Sequence, residues 1–470
     1  MNIWTTGIAY STGKPLAEPA TLVQFAERLQ ESLQNNIGAL RQVQSRAIGQ
    51  VAFRDEIERT RAIDLNDPKV AGWTFLVHAN DPNREAIIER LEPLARLRGM
   101  LDPSSPMTFD GREPEEWFDW LLDNYMSVRP GDAPHYVLLV GGPEQIPFRF
   151  QSLLACFAAV GRLQFDSLDD LTAYVVKVIR LEGAHGPVVS RDCVLFAPDG
   201  GLNDATHFSH KYMAEPLCGL FGELGFRAEK LLAAQATKQR LVESFERMVP
   251  ALVYTASHGI AAPSSPLAIQ KKVNGGICCQ HASGEELSTW LFTADDVPQD
   301  GTFLEGSIFF QFACYGYGTP AESDFNHWMS RDTFNSSEDF VSALPKRLLS
   351  HPRGPIGFIG HVDAAWLHGF ADPDDPYILD AWQERMSPFR YSINSLLTAA
   401  PVGRALWEMN RRYNLCNALL TNTYDRLQRR RLRFDDVRQS LIQTFITRSD
   451  AQNFMLFGDP GTYLRLESPR

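Results

Sequence analysis

The chain of 470 residues is long enough for about three domains of ordinary size, or for one large α/β unit with additions. It carries 45 Lys and Arg against 57 Asp and Glu, and the net charge of −12 disfavours a protein that binds nucleic acid through clustered cations. Hydrophobic residues make up 44% of the chain and charged residues 22%, which excludes disordered and fibrous classes, and no apolar run approaches the roughly 18 residues that cross a bilayer.

The seven cysteines show neither a CxxC pair nor the spacing of metal ligands. A disulfide framework is therefore not expected. The first residues also lack the basic region followed by an apolar stretch that marks a secretory signal, and no phosphate-binding GxxxxGKS or GxxxxGKT motif occurs. The sequence thus predicts a cytoplasmic protein with no metal and no cofactor.

Residues 1–70 are predicted to be mainly helical, because apolar residues recur at helical spacing from Leu22 to Leu40. Beyond them, short apolar runs bounded by Gly, Pro or Asn alternate with helical patterns. The predicted strands span 72–78, 136–140, 193–197, 251–255, 307–312 and 354–359. The predicted helices span 84–98, 115–125, 168–181, 210–224, 237–248, 376–387, 390–420 and 431–448.

This alternation of strands and helices predicts an α/β fold with a mostly parallel sheet covered by helices on both faces. Changes in the sequence pattern near residues 71 and 150 divide the chain into the helical N-terminal segment 1–70, a smaller α/β subdomain 71–150 and a larger unit 151–470. In such sheets, catalytic and binding groups collect beyond the C-terminal ends of the strands. The residues that follow the predicted strands are therefore the first candidates for a site.

A histidine and a cysteine each follow one of these strands, as Ser257-His258-Gly259 and as Ala313-Cys314. A cysteine acts as a nucleophile when it is paired with an acid–base group, and a histidine can supply the proton for a departing amine. A glycine after the histidine permits close approach of a substrate, and its N–H can stabilise an oxyanion. Each residue alone is typical of packing or of a loop, but the two together favour a cysteine–histidine catalytic site.

These two blocks resemble those of the caspase-like (clan CD) cysteine peptidases, most of all the gingipain-type and bacterial CHAT-domain members. Further blocks resemble the same family in the same order: Gly72–Gly99, Tyr136–Pro147, a turn at Gly161-Arg162 with the helix to Glu182, and a closing turn at Phe457–Pro460. The resemblance covers residues 72–466. It implies a three-layer α/β/α caspase-like (caspase–hemoglobinase) fold for the larger unit.

The resemblance also implies roles for individual residues. Cys314 would be the nucleophile and His258 the acid–base group, and the backbone N–H groups of Gly259 and Cys314 would form the oxyanion hole. It leaves open whether a backbone carbonyl or a carboxylate supports the histidine. The implied activity is that of a cytoplasmic endopeptidase that cleaves protein or peptide substrates through a thioester, as in bacterial defence effectors that activate a gasdermin-like or other toxin by limited proteolysis.

The substrate pocket is where the chain departs from members that cut after basic residues. His207 best matches the position that is acidic in those members, and Trp366 matches a tryptophan that lines the pocket. Because a cation buried without a partner is costly, the sequence predicts a neutral P1 residue. Asp204 and Asp363 are the alternatives, since either carboxylate facing the pocket would recruit Lys or Arg.

Two other interpretations stay open at this point. The fold could be retained as a catalytically silent scaffold whose cleft docks a partner, or the acyl-enzyme could transfer its acyl group to an amine or thiol. The expected partners are a protein or peptide substrate and a regulatory protein, for which residues 1–70 are a candidate contact. Neither a nucleic acid nor a membrane segment is expected.

Overall fold

The computed structural model describes residues 2–3, 6–16, 20–21, 23–24, 27, 63–111, 113–128, 132–263, 265–282, 284–325, 336–371 and 379–468. Most of the segment 1–70 that was predicted to be helical lies outside these ranges. None of the helices within them is long and apolar enough to span a membrane.

The strands within the described ranges are short, and many are fully buried. They are β1 Asn2–Ile3, β2 Gly7–Ala9, β3 Ala20–Thr21, β4 Trp73–His78, β5 Met107–Phe109, β6 Tyr136–Val140, β7 Ala159–Leu163, β8 Asp192–Ala197, β9 Arg227–Leu232, β10 Leu252–Ala256, β11 Gly259–Ala261, β12 Ile277–Cys278, β13 Leu291–Phe292, β14 Ile308–Phe312, β15 Gly318–Thr319, β16 Phe340–Val341, β17 Gly357–His361 and β18 Phe454–Phe457.

The α-helices within the same ranges follow most of the larger strands. They are α1 Pro68–Ala71, α2 Arg84–Leu97, α3 Trp117–Leu121, α4 Phe148–Leu154, α5 Leu168–Glu182, α6 Ala205–Ser209, α7 Glu215–Glu223, α8 Lys238–Arg247, α9 Leu267–Val273, α10 Leu287–Trp290, α11 Ala343–Ser350, α12 Leu379–Leu397, α13 Trp407–Gln428 and α14 Phe434–Asn453.

Ten strands form one sheet in the order β5-β4-β6-β7-β18-β17-β14-β10-β8-β9. All neighbours in it are parallel except β17 and β18, which are antiparallel. The predicted mostly parallel sheet is thereby confirmed, with a reversal of strand direction in its middle. The sheet contains strands from both 71–150 and 151–470, and the division into those two units stays a prediction.

Alternating side chains of the central strands pack on opposite faces of the sheet, as the period of a strand requires. Tyr254 and Ala256 of β10 belong to one buried apolar cluster together with residues of α12, α13 and α14. Val253 of the same strand belongs to a second cluster, with residues of α2, α5, α8 and α11. Helices therefore cover both faces, and the fold has the three layers α/β/α that the sequence predicted.

Five of the six predicted strands coincide with β4, β6, β8, β10 and β14 to within one residue, and the sixth lies slightly later, at β17. The prediction of a turn at Gly161-Arg162 was wrong, because both residues lie inside β7. A side chain at position 161 would bring its Cβ within 2.2 Å of the Gly458 carbonyl oxygen, so this glycine allows two backbones to approach closely.

The prediction of two separate helices around residue 388 was also wrong. The single helix α12 contains Pro388 in its interior. A proline removes one backbone hydrogen bond, but tertiary packing supplies most of the stability of a helix in a protein. Met386, Phe389 and Ile393 are all buried on this helix, and this packing keeps the helix continuous past the proline.

A second, four-stranded sheet has the order β13-β12-β11-β2. The strand β11 begins one residue after His258, and β2, from the N-terminal end of the chain, pairs with it in parallel. This small sheet therefore extends from the edge of the large sheet at which His258 lies.

Candidate active site

His258 and Cys314 lie at the same edge of the large sheet, because the strands that precede them are paired neighbours. Ala256 of β10 pairs with Phe312 of β14, and each functional residue lies two positions beyond that pair. The N–H of Ser257 continues the ladder by donating to the carbonyl oxygen of Phe312 at 3.1 Å. The C-terminal ends of parallel strands lie at one edge of a sheet, and the structure brings the predicted pair together there.

Gly259 lies against the backbone of Cys314. A Cβ atom at position 259 would lie 1.8 Å from the Cys314 carbonyl oxygen and 2.7 Å from its nitrogen. No side chain fits in that space, which is the physical reason for a glycine after the histidine. The N–H groups that were predicted to form an oxyanion hole therefore belong to segments in direct contact.

Two oxygen acceptors hold the ring of His258 from opposite sides. Its Nε2 lies 2.9 Å from each carboxylate oxygen of Asp204. Its Nδ1 is hydrogen-bonded to the backbone carbonyl oxygen of Thr6. A carbonyl and a carboxylate can only accept, so both ring nitrogens donate and the imidazole is in its protonated form.

The charge of Asp204 stabilises this imidazolium. Burial alone would lower the pKa of His258, but Asp204 and the carbonyl oxygen of Thr6 outweigh it and raise that pKa above its usual value of 6.5. Burial would likewise raise the pKa of Asp204, yet His258 and the hydrogen bonds from Thr206 hold it well below its ordinary value. Each group therefore favours the charged form of the other.

Asp204 also caps helix α6. Its carboxylate accepts from the backbone N–H of Thr206 at 2.8 Å and from the hydroxyl of the same residue at 2.5 Å. An N-cap aspartate has its side chain fixed by the helix start, so the carboxylate is presented to His258 in one orientation. From the sequence, Asp204 is predicted only as a pocket residue. The position of Asp204 at the start of a helix is the sequence feature that could have indicated a fixed carboxylate.

The thiol of Cys314 is fully buried. Its Sγ accepts from the N–H of Ala365 at 3.1 Å and lies 3.1 Å from the hydroxyl oxygen of Thr6. The next residue, Tyr315, has a φ of 59°, and Asp363 has a φ of 70°. The N–H of Tyr315 donates to the carbonyl oxygen of Asp363 at 2.9 Å, so two left-handed residues are joined beside the thiol, a concentration of backbone strain that is typical of functional sites.

Residues 6–16, which we call the N-terminal strap, lie across these groups. The carbonyl oxygen of Thr6 accepts from the N–H of Gly259 at 3.1 Å, and the N–H of Thr6 donates to the carbonyl oxygen of Ala365 at 3.2 Å. Thr6 is fully buried. Residues 7–9 of the strap are β2, which continues along β11. The strap was not predicted from the sequence, because three residues are too short a run to indicate a strand.

The remaining pocket candidates lie in two places. The Nδ1 of His207 lies 3.1 Å from the carboxylate of Asp199, which also binds His210. Trp366 is fully buried and packs on Phe325, with 4.8 Å between the ring centroids. Residues 363–366 lie beside the Cys314 thiol, because the N–H of Ala365 donates to its Sγ, and we call them the wall of the site. His207 lies in α6, three residues after Asp204.

Asp363 is buried in the same wall, where its carboxylate accepts from the hydroxyl of Ser323 at 2.8 Å and from the N–H groups of Asp324 and Ala364 at 2.9 and 2.8 Å. Burial, together with the nearby carboxylate of Asp324, nevertheless raises the pKa of Asp363 to about 6. Its negative charge is therefore costly in the folded protein.

We expect Asp363→Asn to remove a pH-dependent part of the stability. A carboxyl group whose pKa is raised on folding stabilises the fold below its unfolded pKa of about 3.8, and that contribution is lost as the pH rises through about 6. From pH 4 to 7.5, the free energy of unfolding of the wild type should fall relative to that of the variant by roughly 2–2.5 kcal/mol. Urea unfolding of both proteins at the two pH values measures this difference, and a constant difference would contradict it.

Among the described residues, no group of three or more His, Cys, Asp and Glu side chains is arranged to hold a metal ion. All seven cysteines lie in the described ranges, and none of them forms a disulfide bond.

Comparisons with known proteins identify the family of the chain. The model of peptidase family C25 matches residues 112–465, more than half of the chain. The solved complex of the Porphyromonas gingivalis RgpB pro- and mature domains matches over 83% of this chain and 79% of its own chain, with 14% identity and a TM-score of 0.47. The structure of the Arg-specific cysteine proteinase gingipain R matches over 84% of this chain and 78% of its own, with 14% identity and a TM-score of 0.47. A structure described only as a protease matches over 83% of this chain and 78% of its own, with 11% identity and a TM-score of 0.48. No curated protein matches.

Proposed function

Because the chain belongs to peptidase family C25, a family of cysteine peptidases, we propose that it is an endopeptidase in which Cys314 attacks the scissile carbonyl and His258 transfers the proton. One observation carries the proposal. The paired strands β10 and β14 bring a thiol, an imidazole and the N–H of Gly259 to one point. This is the constellation that acyl transfer to a thiol requires.

The reaction follows from the orientation of the ring. The Nε2 of His258 is held by Asp204, so Nδ1 is the nitrogen that faces the catalytic centre. When Nδ1 no longer donates to Thr6 and has released its proton to solvent, it takes the proton of the Cys314 thiol, and the thiolate forms a bond to the substrate carbonyl carbon. The oxyanion accepts hydrogen bonds from the N–H groups of Gly259 and Cys314. Nδ1 then protonates the departing amine, and the thioester is hydrolysed by water that His258 activates.

Asp204 is a positioning residue in this scheme. It contacts the imidazole only on the side away from the thiol and fixes both the orientation of the ring and its charge. The sequence resemblance left open whether a carbonyl or a carboxylate supports the histidine, and the carboxylate of Asp204 is the group that we propose.

We assign a neutral P1 residue to the substrate. The carboxylate of Asp204 is engaged by His258, and that of Asp363 is buried under hydrogen bonds from Ser323 and the backbone. His207 is engaged by Asp199. A cationic P1 side chain would then lack a carboxylate partner, whereas the Trp366 wall suits an apolar or small side chain.

The cysteines bear on the cellular compartment of the protein. Seven cysteines without a disulfide suit a reducing compartment, so we assign the protein to the cytoplasm. Limited proteolysis of a protein partner, such as a toxin precursor in a defence response, is the role that the caspase-like resemblance implies.

A mass-spectrometric survey of a digested proteome tests the activity. We expect the protein to release peptides that end in a neutral residue, and Cys314→Ala to release none. Cys156→Ala is the matched control, because it removes a half-buried thiol that takes part in no proposed step. Cleavage confined to Arg or Lys would contradict the neutral pocket.

The alternative of a silent scaffold predicts a different outcome. No cleavage by the wild type, and none by a folded variant whose N-terminal strap is displaced, would contradict the endopeptidase and favour the scaffold. Product analysis in the presence of free amines or thiols separates hydrolysis from acyl transfer, since transfer adds the mass of the acceptor to the new C-terminus.

A further inference from the structure

The backbone of Thr6 makes the contacts that a substrate would need in the proposed reaction. Its carbonyl oxygen accepts from the N–H of Gly259 at 3.1 Å and from Nδ1 of His258. Its N–H donates to Ala365 at 3.2 Å, and its hydroxyl oxygen lies 3.1 Å from the Sγ of Cys314. The acid–base nitrogen, one proposed oxyanion donor and the nucleophile are therefore all in contact with one residue of the chain itself.

The residues after Thr6 bind as an added strand. Gly7, Ile8 and Ala9 pair in parallel with Gly259, Ile260 and Ala261, and the N–H of Tyr10 donates to the carbonyl oxygen of Ala261 at 2.5 Å. Main-chain pairing of this kind recognises an extended peptide with little dependence on its sequence. The exposed edge of β11 is thus already occupied.

Side-chain packing fits the strap closely to the site. The side chain of Ile8 is buried together with Ile260, Trp290 and Leu291. A turn returns the chain, so that Leu16 donates its N–H to the Gly7 carbonyl oxygen at 2.8 Å and buries its side chain in the cluster that contains Cys314. A Cβ at position 7 would lie 2.4 Å from Leu16 Cδ1 and 3.0 Å from Cys314 Sγ, so a side chain there must push Leu16 aside and press on the thiol.

We propose that the edge of β11 and the carbonyl of Ala365 form a binding site for an extended peptide, and that the N-terminal strap occupies it as an intramolecular ligand. The proposal rests on the endopeptidase function above and adds to it the binding mode of the substrate and a resting state. A single strand can pair with the edge of β11 at a time, and Gly259 N–H and His258 Nδ1 cannot serve two carbonyl groups. Substrate binds and Cys314 reacts only when the strap has left.

The test compares Gly7→Val with wild type in the full chain. Alkylation of Cys314 by iodoacetamide, followed by peptide mass spectrometry, measures access to the thiol independently of any substrate. A Cβ at position 7 should displace the strap and speed alkylation of Cys314 about tenfold or more, because the open state is then the populated one. Ser11→Val, which adds the same side chain at an exposed position of the strap's turn, should alkylate like the wild type.

Cys193 reports whether the variant is folded, because it lies fully buried in the centre of the large sheet. If Cys193 of Gly7→Val is labelled as fast as Cys314, the variant has unfolded. The same comparison is then made with Thr6→Pro, which removes the N–H that donates to Ala365. Equal alkylation rates of Cys314 in the wild type and in the folded variant would overturn the proposal.

A peptide with the sequence of residues 6–16 provides the converse experiment. Added to Gly7→Val, it should slow alkylation of Cys314 back toward the wild-type rate, and the same peptide with valine in place of Gly7 should not. Failure of both peptides to slow the reaction would contradict a peptide site on β11.

Peptide cleavage measured in parallel separates this proposal from the function on which it rests. Faster alkylation in Gly7→Val with no cleavage by any protein would support the strap and contradict the endopeptidase. Equal cleavage and equal alkylation by the wild type and Gly7→Val would support the endopeptidase and contradict the strap.

Discussion

Asp204→Asn should lower kcat/KM by roughly 10²-fold or more and move the alkaline limb of the pH profile to lower pH, since a well-placed acid–base group contributes about 10²–10⁴-fold. Asp204 is the carboxylate that both orients the His258 ring and stabilises its protonated form. Asparagine preserves the shape of the side chain and its cap on α6 but removes the charge. The effect should therefore appear in kcat more than in KM, because the substrate does not touch this side of the ring.

The direction of the pH shift follows from the sign of the pKa change. The pKa of His258 is raised in the folded protein, mainly by Asp204 acting against burial. Removing the opposite charge beside the ring therefore lowers the pKa of His258. An imidazolium that protonates the leaving amine would then be lost at a lower pH, and the alkaline limb would move in the same direction.

Activity profiles of the wild type and Asp204→Asn, each in the background with the strap displaced, measure both effects. Asp166→Asn is the control, since it removes a carboxylate of an exposed ion pair with Lys346. A profile of Asp204→Asn that is lowered but has unchanged limbs would show that the aspartate acts on the fold alone and not on the charge of His258.

The neighbouring positions of His258 and Cys314 were predictable because both residues follow buried apolar strands. Sequence alone places His258 and Cys314 at strand ends, and the rule for parallel sheets supplies the rest. Asp204 was not predictable as their partner, because it comes from the loop after β8 and its contact with His258 depends on how α6 begins. Thr6 was less predictable still, since it reaches the site through pairing between segments that lie about 252 residues apart, more than half of the chain.

Three of the sequence blocks that resemble the family outside His258 and Cys314 contact one another in the fold. Arg98, Glu182 and Asp459 belong to three different blocks and form one buried cluster, in which the guanidinium of Arg98 lies 2.5 Å from Glu182 and 2.6 Å from Asp459. Trp73 donates its indole N–H to Asp459 at 2.8 Å, and Tyr174 accepts from the N–H of Asp459 at 2.7 Å. The order of the blocks could be read from the sequence, but their meeting could not, because it depends on the closure of β18 onto β7 and β17.

Arg98→Ala should lower the free energy of unfolding by about 3–5 kcal/mol, a large part of the stability of a single domain. The guanidinium and both carboxylates are at most 5% exposed, so removing the cation leaves two buried negative charges without their main partner. Burial opposes the charge of Arg98, yet Asp459 and Glu182 raise its pKa above the usual value, which shows the strength of the attraction that would be lost.

Arg96→Ala supplies a matched control two residues away on the same helix. Arg96 forms an ion pair with Glu92, but these side chains are 63% and 45% exposed, and an exposed pair contributes only about 0–1 kcal/mol. Chemical unfolding of the two variants and the wild type measures the contrast. A loss for Arg98→Ala no larger than that for Arg96→Ala would mean that water or a local rearrangement compensates Glu182 and Asp459, and that the meeting of the three blocks is not what stabilises the joined sheet.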